Sequence, residues 1–527
     1  MKQLVLALLA AFLAVFALLP LALLLPRAGA FGVAAGEWEA AANTLVLCGG
    51  TVALALAVGL PLGVALARVR LPAWLARAVV LPYAVPPYVT TIAWIQLANP
   101  SNGLLTRWLP LDVYSLPGMV WVLGLHLSPF VSLAVRDALG RLDPALEEAA
   151  RVAGASRARV LRDVTLPMVA PAVLAAAGFV VSASAASFGV PYLLTAPAKD
   201  PTPVLTTRIY QALELSPATG RPLAVTLALG LCVLGLALPA ALRALEGRRS
   251  YAGAKPGRVV ASASSPVATA GVVAFVAIAV VLPLATIVAT SFSARFGSFE
   301  TLTLASWEAV LGADRTRDAL FRSLWLAAAA ATVAVGAGAL VAHAAERDAT
   351  RPARALAAVA RAPWAIPGTV LALGMLLAFS QEVRLVVAER VTFVLALADT
   401  AWLLGIAYVV KFFALPVDGT RAALRALHPS MEEAARISGA GWGRTLHDVT
   451  LPLLAPALGT AWFLVFVPSF CEVTLSVLLR GPRTEVLGTL LFYLQGYADP
   501  QAAAVLAVVV VAVLLAGMGL SWSTSKA

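Results

Sequence analysis

Charge is scarce in these 527 residues: 12% are Asp, Glu, Lys or Arg against 61% apolar, and the mean hydropathy is +0.89. Soluble domains sit near a quarter charged and half apolar, so a water-soluble globule is excluded. Lysine is rarer still, supplying 5 of 38 cations. No dense basic stripe alternates with aromatics, so the net charge of +11 does not describe a nucleic-acid surface. The excess is read as membrane topology. Cysteine is nearly absent, and Cys48, Cys232 and Cys471 lie far apart inside apolar segments, which suggests neither a disulfide framework nor a metal cluster. The four histidines, His126, His343, His428 and His447, lack metal-ligand spacing. No lysine follows a glycine, so the Gly-Lys-Ser/Thr phosphate cradle of a Walker ATPase is missing. Neither a nucleophile elbow nor a paired-carboxylate site emerges. The chain is therefore expected to bind no cofactor and to catalyse nothing alone.

Long apolar runs are what the sequence has instead. Leu4 to Leu25 follows Lys2 and exceeds the apolar region of a cleaved signal, so it reads as an uncleaved first helix. Further runs cover roughly 42–66, 78–98, 116–135, 166–190 and 222–242, then 267–291, 323–344, 362–380, 398–416, 452–475 and 501–521. These predict an all-α membrane protein of twelve transmembrane helices, since a helix satisfies its own backbone in lipid and no short alternating strands suggest a barrel. The distribution of Lys and Arg favours a multi-pass protein of the cytoplasmic membrane with both termini in the cytoplasm.

The stretch from Glu246 to Ser265 places Arg248, Arg249, Lys255 and Arg258 among Gly, Ser and Pro, the composition of a solvated tether. It separates a first half, 1–245, from a second, 266–527, with a cytoplasmic linker at 246–265. The halves carry copies of one segment at an offset of 285. Leu142 to Pro171 reads LDPALEEAARVAGASRARVLRDVTLPMVAP and Leu427 to Pro456 reads LHPSMEEAARISGAGWGRTLHDVTLPLLAP, identical at 18 of 30 positions. A weaker echo joins Pro82, Ala84 and Pro86 to Pro363, Ala365 and Pro367. Two six-helix halves, each with an even number of spans, insert in the same orientation, which predicts a pseudo-twofold axis along the membrane normal.

Both copies fall between the fourth and fifth helix of their half, on the expected cytoplasmic side. Pro144 and Pro429 suit a first helical turn, and Glu147, Glu148, Glu432 and Glu433 favour a helix amino end. Glu147 with Arg151, and Glu432 with Arg436, stand four apart in the favourable order, for a pair worth only about 0.2–0.5 kcal/mol. Gly154 and Gly439 permit the positive φ that ends this helix, while Arg159 to Asp163 and Arg444 to Asp448 open a second segment running to Pro167 and Pro452. A helix, a bend and a second helix at two symmetric places suit a symmetric two-lobed partner.

The EEAAR run, the glycine three residues on and the following DVTLP resemble the EAA motif of binding-protein-dependent ABC importer permeases. In that family the loop docks in a groove of a cytoplasmic ATPase and passes its closure to the spans. Asn43, Thr44 and Leu45, opening the second helix, belong to the same resemblance. It implies that Glu147, Ala150, Gly154, Glu432, Ala435 and Gly439 contact the ATPase. Glu148, Arg151, Asp163, Glu433, Arg436 and Asp448 complete the coupling set. It also implies two ATPase copies that bind ATP and magnesium, a periplasmic solute-binding protein and no second permease subunit. A fused double permease is most similar to the iron(III) importer type, as are SFGVPYLL from Ser187 and EVTLSVLLRGPRTEVLGT from Glu472. Thiamine, polyamine and phosphonate permeases share the loop. Iron-type permeases often carry an acid where Ser187 stands.

Ionisable groups inside spans are functional candidates. His126 and Lys411 occupy matching places in the fourth helix of each half, as a hydrogen-bonded core residue and a snorkelling lysine or as neighbours of the pathway. Glu472, at the predicted outer mouth, suits a cation route or a pair with Arg480. Ser187 is its counterpart. The outer loops are too short to fold a capture domain. A secondary transporter driven by an ion gradient, also built from parallel six-helix halves, and a membrane scaffold are the readings from other classes.

Overall fold

The computed structural model describes residues 2–29, 35–101, 103–106, 112–195, 201–215, 217–246, 264–296, 298–380, 383–387, 390–496 and 499–524. Apart from its ends, the tether expected at 246–265 lies outside the described residues. Among those described, nine helices are long and apolar enough to cross a membrane, or twelve when each of three bent pairs is one span. The first half holds Gln3–Arg27, Gly36–Arg68, the pair Ala73–Tyr83 with Pro87–Ala98, Leu116–Gly140, Ala158–Ala185 and Thr219–Leu242. The second holds Pro266–Ser291, Asp314–Asp348, the pair Arg351–Ala365 with Gly368–Phe379, the pair Ala401–Phe412 with Ala414–Ala426, Trp442–Phe470 and Pro500–Gly517. These are spans one to twelve below.

Local chemistry sets where the helices start. Ser115, Thr350 and Thr400 each accept the backbone N–H three residues on, as N-cap side chains do. Proline sets where they distort. The π-helical turns Ala14–Leu18, Leu161–Thr165, Ala277–Val281 and Leu446–Thr450 each stop two residues short of a proline. A proline ring has no N–H and crowds the carbonyl four residues back, and widening the turn relieves the clash without ending the helix.

Two of the bends are sharp. Span three turns by 94° and span nine by 108°, each at the second proline of a Pro-x-x-x-Pro pair, Pro82 with Pro86 and Pro363 with Pro367. The sequence expectation of unbroken spans at 78–98 and 362–380 is corrected here. A second departure is two antiparallel hairpins, Ser293–Arg295 with Ser298–Leu302 and Val383–Val387 with Arg390–Leu395, where no strands were expected.

The two halves exchange their first spans. Phe16 of span one stacks on Phe379 of span nine at 5.3 Å, and Arg27 Nη1 donates to the Leu377 carbonyl at 3.2 Å. Span seven packs in turn on the Pro87–Ala98 segment. Within the first half, spans two and four approach through small residues. A Cβ at Gly59 or Gly63 would lie 2.6 Å from the Cβ of Val131 or Val135, so only glycine permits this backbone separation. At the ends of spans two and eight remote from the duplicated loops, Thr44 Oγ1 accepts the Leu205 N–H at 2.9 Å and Ser323 Oγ accepts the Leu487 N–H at 2.7 Å. The duplication thus extends to single hydrogen bonds.

Candidate functional site

The duplicated loops fold alike. Pro144–Val152 begins behind Asp143, whose side chain accepts the Ala145 N–H, and Ser430–Ile437 begins behind Pro429. Gly154 and Gly439 close these helices at φ +85° and +87°. The Gly154 N–H donates to the Arg151 carbonyl and the Ala155 N–H to the Ala150 carbonyl, each at 3.0 Å. Gly439 and Ala440 repeat both bonds on Arg436 and Ala435. This is a Schellman motif, whose glycine position excludes most other residues. The second segment does not stop at Pro167 or Pro452, as the sequence suggested. It runs through the π turn into the fifth and eleventh spans, so each loop is welded to the helix that follows it.

The two glutamates expected to face a partner turn the other way. Glu147 Oε1 accepts from Thr165 Oγ1 at 2.6 Å and from Arg68 Nη2 at 2.5 Å. Glu432 Oε1 accepts from Thr450 Oγ1 at 3.1 Å and from Arg347 Nε at 3.2 Å. Its Oε2 lies 3.4 Å from His343 Nε2 and 3.6 Å from Arg436 Nη2. Burial alone would raise the Glu147 carboxyl, but the hydrogen bonds from Thr165 and Arg68 outweigh it and hold it below its ordinary value. In both halves the arginine ends the second span, so these pairs tie the loop to the bundle. Arg68 and Arg347 escaped the sequence comparison because they stand 279 apart, out of register with the 285 offset. Thr165 and Thr450 were visible inside DVTLP.

The outward face is different. Glu148 and Glu433 are exposed, as are Leu146 and Met431, and Val152 and Ile437 are 89% and 88% exposed. Ala150 and Ala435 are half-buried on the inner side. Arg151 bonds the Glu147 carbonyl at 3.2 Å rather than its carboxylate. Asp163 pairs with Arg162 at 2.7 Å, and Asp448 lies 2.7 Å from His447 Nδ1. Large apolar side chains held in water at equivalent places on two helices form a surface suited to another protein.

A second constellation lies where the broken spans meet. The segment after span five, Gly189–Thr195, approaches Tyr88 just past the span-three break, and Gly368 just past the span-nine break approaches Thr474. Ser187 lies in the break after span five, and its carbonyl accepts from Thr206 Oγ1 at 2.9 Å. Glu472 lies in the break after span eleven. Its Oε2 accepts the Leu475 N–H at 2.7 Å and the Ser476 N–H at 3.1 Å, so the carboxylate caps Thr474–Leu478. That cap replaces the pairing with Arg480 considered from sequence. Ser476 Oγ also lies 2.7 Å from the Tyr408 hydroxyl. Tyr88, 4% exposed, comes within electrostatic range of Glu472 and Tyr408, and its hydroxyl has no hydrogen-bond partner among the described residues. Gln96 on the same half-helix and Thr369 on its counterpart also bury polar atoms without a hydrogen-bond partner among the described residues. Tyr88 escaped the sequence reading because an aromatic in an apolar run carries no local signal.

His126 is a core residue, and Lys411 turns its Nζ onto the backbone of span nine rather than snorkelling. His126 is buried, and its Nδ1 has no hydrogen-bond partner among the described residues. Lys411 Nζ donates to the Ile366 carbonyl at 2.6 Å and lies 3.5 Å from the Pro363 carbonyl. Among the described residues no three His, Cys, Asp or Glu side chains group as metal ligands.

Comparison with known proteins returns one family. The profile of binding-protein-dependent transport system inner membrane components matches twice, at residues 56–251 and 334–523. A Sinorhizobium fredii protein provisionally named the ABC transporter permease y4fN is 30% identical over 77% of this chain and 72% of its own. A Haemophilus influenzae protein provisionally named the ferric transport system permease FbpB 1 is 25% identical over 77% of this chain and 64% of its own. The trehalose transport system permease SugA of Mycobacterium tuberculosis is 33% identical over 26% of this chain and 48% of its own.

Proposed function

This chain belongs to the family of binding-protein-dependent transport system inner membrane components, and from that premise we propose that it is the whole permease of an iron(III) importer. The ABC permease class rests on the family, which works with ATPase and binding-protein partners. Two further points are proposal: 1–245 and 266–527 act as the two permease halves, and one ATPase copy docks on each duplicated loop. The exposed pairs Leu146 and Met431, Glu148 and Glu433, and Val152 and Ile437 form the docking faces, with Gly154 and Gly439 shaping them. Glu147 and Glu432 fasten the loops to the spans. In this reading both termini and both loops lie in the cytoplasm of a bacterium, ATP is hydrolysed on the partner, and this chain is not itself an enzyme.

The observation that carries the choice of cargo is the oxygen chemistry at the breaks. Glu472 and the Tyr408 hydroxyl meet at Ser476, and Tyr88, whose hydroxyl has no hydrogen-bond partner among the described residues, lies within electrostatic range of both; hard cations prefer carboxylate and other oxygen donors. The ferric name of one relative agrees with this choice. The reading is tested in proteoliposomes holding this chain with its ATPase and its binding protein. ATP-dependent accumulation of radioactive iron is expected. Equal uptake of trehalose, a phosphonate, thiamine or a polyamine, with none of iron, replaces the cargo but keeps the class. Accumulation driven by an ion gradient without any ATPase overturns the class.

A further inference from the structure

Duplication lets each place in one half be compared with its counterpart in the other. Spans two and eight align at an offset of 279, as Thr44 with Ser323 and Arg68 with Arg347 show. Spans four and ten align at 285, since the N-cap residues Ser115 and Thr400 stand that far apart. Where spans eight and ten meet, Trp325 and Trp402 pack edge to face with ring centroids 5.5 Å apart. Their counterparts in spans two and four are Val46 and Pro117, side chains too short to reproduce that contact.

An apolar groove of about 370 Å³ stands in their place, lined by Val46, Gly50 and Leu54 of span two and by Pro117, Val120 and Trp121 of span four. Close approach of the two spans sets its depth, because a Cβ at Gly50 would lie 2.8 Å from Val120 Cγ2. Trp121 packs edge to face on Trp94 of the broken span at 5.6 Å, which holds its ring at the groove wall. Val46 and Pro117 are exposed, so the groove opens outward into the bilayer. At 1.5 Å per residue, Leu54 stands about 21 Å from Arg68 at the loop end of span two. Half of a hydrocarbon core of about 30 Å is about 15 Å, so the groove faces the leaflet remote from the duplicated loops. It runs about 12 Å along the helix from Val46 to Leu54, most of the depth of that leaflet.

We propose that this groove is a binding site for one acyl chain of a phospholipid, seated where the second half supplies its own pair of indoles. Helices in lipid associate through van der Waals packing, and an unfilled groove forfeits dispersion contacts along its walls. Trp325 and Trp402 show that this place in the fold is filled when the sequence provides the atoms. In the first half the surrounding hydrocarbon provides them. The two spans that the chain wedges between are those that hold the first loop, span four leading to Pro144 and span two carrying Arg68 to Glu147. The first half therefore depends on bound lipid for its packing where the second does not, whatever the cargo.

The test titrates the delipidated full chain in dodecyl maltoside with phosphatidylcholine carrying dibrominated chains, since bromine quenches an indole that it touches. Emission of Trp121 is the difference between wild type and Trp121→Phe, and that of Trp325 is isolated in the same way with Trp325→Phe. Half-quenching of Trp121 is expected at about a tenfold lower lipid concentration than that of Trp325, which reports ordinary boundary lipid. Unbrominated phosphatidylcholine should reverse it by competition. Val46→Phe with Pro117→Phe fills the groove and should bring the two tryptophans to the same half-quenching concentration. The lipid should also raise the melting temperature of the wild type more than that of the filled variant. If Trp121 and Trp325 quench together in the wild type, boundary lipid alone surrounds the protein and the site is wrong. A filled variant that melts cooperatively and keeps the tight quenching of Trp121 would overturn it equally.

Discussion

Arg347 reaches Glu432 at 3.2 Å across 85 positions of sequence, with both side chains almost enclosed. The counterpart pair, Arg68 and Glu147, is wetter, with the arginine side chain 38% exposed. The same tether is therefore built in two dielectric settings. Removing one partner of a buried pair strands the other and costs about 3–5 kcal/mol, while a partly exposed pair is worth about 0–1 kcal/mol. Arg347→Ala should lower the detergent-solubilised melting temperature far more than Arg68→Ala. Equal losses in the two variants would show that burial does not set the strength of the tether.

Acid should act on the first loop before it disturbs the bundle. Glu147 titrates below its ordinary value, so its unfolded-state value is the higher of the two. Its contribution to stability is complete above that higher value and disappears as pH falls through the lower, folded-state value. A spin label at Val152 should stay ordered from neutral pH down through the ordinary carboxylate range, then loosen on further acidification. Glu147→Gln should remove the transition. A label in that variant still loosening over the same interval would assign the acid step to another group.

The docking face separates from the tether by mutation. Val152 and Ile437 touch little within the permease, so Val152→Asp with Ile437→Asp should change permease stability by no more than about 0.5 kcal/mol. Binding of the ATPase should be lost, because two charges replace apolar surface at the centre of the contact. The measurement is co-purification of the ATPase beside the melting curve of the permease alone. Unchanged co-purification would move the docking face elsewhere.

Much of this architecture was legible because membranes restrict the choices. Apolar runs gave the span count, and the ungapped repeat of charged and glycine residues gave the duplication and both loops. Gly154 and Gly439 were readable as helix ends because a positive φ is a local demand. The breaks at Pro86 and Pro367 were half-visible. The proline echo was in the sequence, but whether a proline kinks a span or breaks it depends on contacts from elsewhere, such as the Lys411 ammonium on the Ile366 carbonyl. The inward turn of Glu147 and Glu432 was not legible, since the i to i+4 arginine competed with a distant one. Arg68 and Arg347 decide that contest only once the second and eighth spans are packed.

Tyr88 offers the sharpest test of the cargo route. Its hydroxyl is buried without a hydrogen-bond partner among the described residues, and a buried orphan of this kind destabilises a fold by about 1–3 kcal/mol. Tyr88→Phe removes the orphan and keeps the ring, so the melting temperature should hold or rise. If the hydroxyl exists to meet a passing cation, uptake should nonetheless fall, by about tenfold for one lost oxygen donor. Glu472→Gln, which keeps an oxygen for the Leu475 and Ser476 N–H groups, should reduce iron uptake while leaving ATPase binding intact. A more stable Tyr88→Phe permease that transports at the wild-type rate would mean that the hydroxyl lies off the route, and the assignment of hard-oxygen chemistry to the breaks would fail with it.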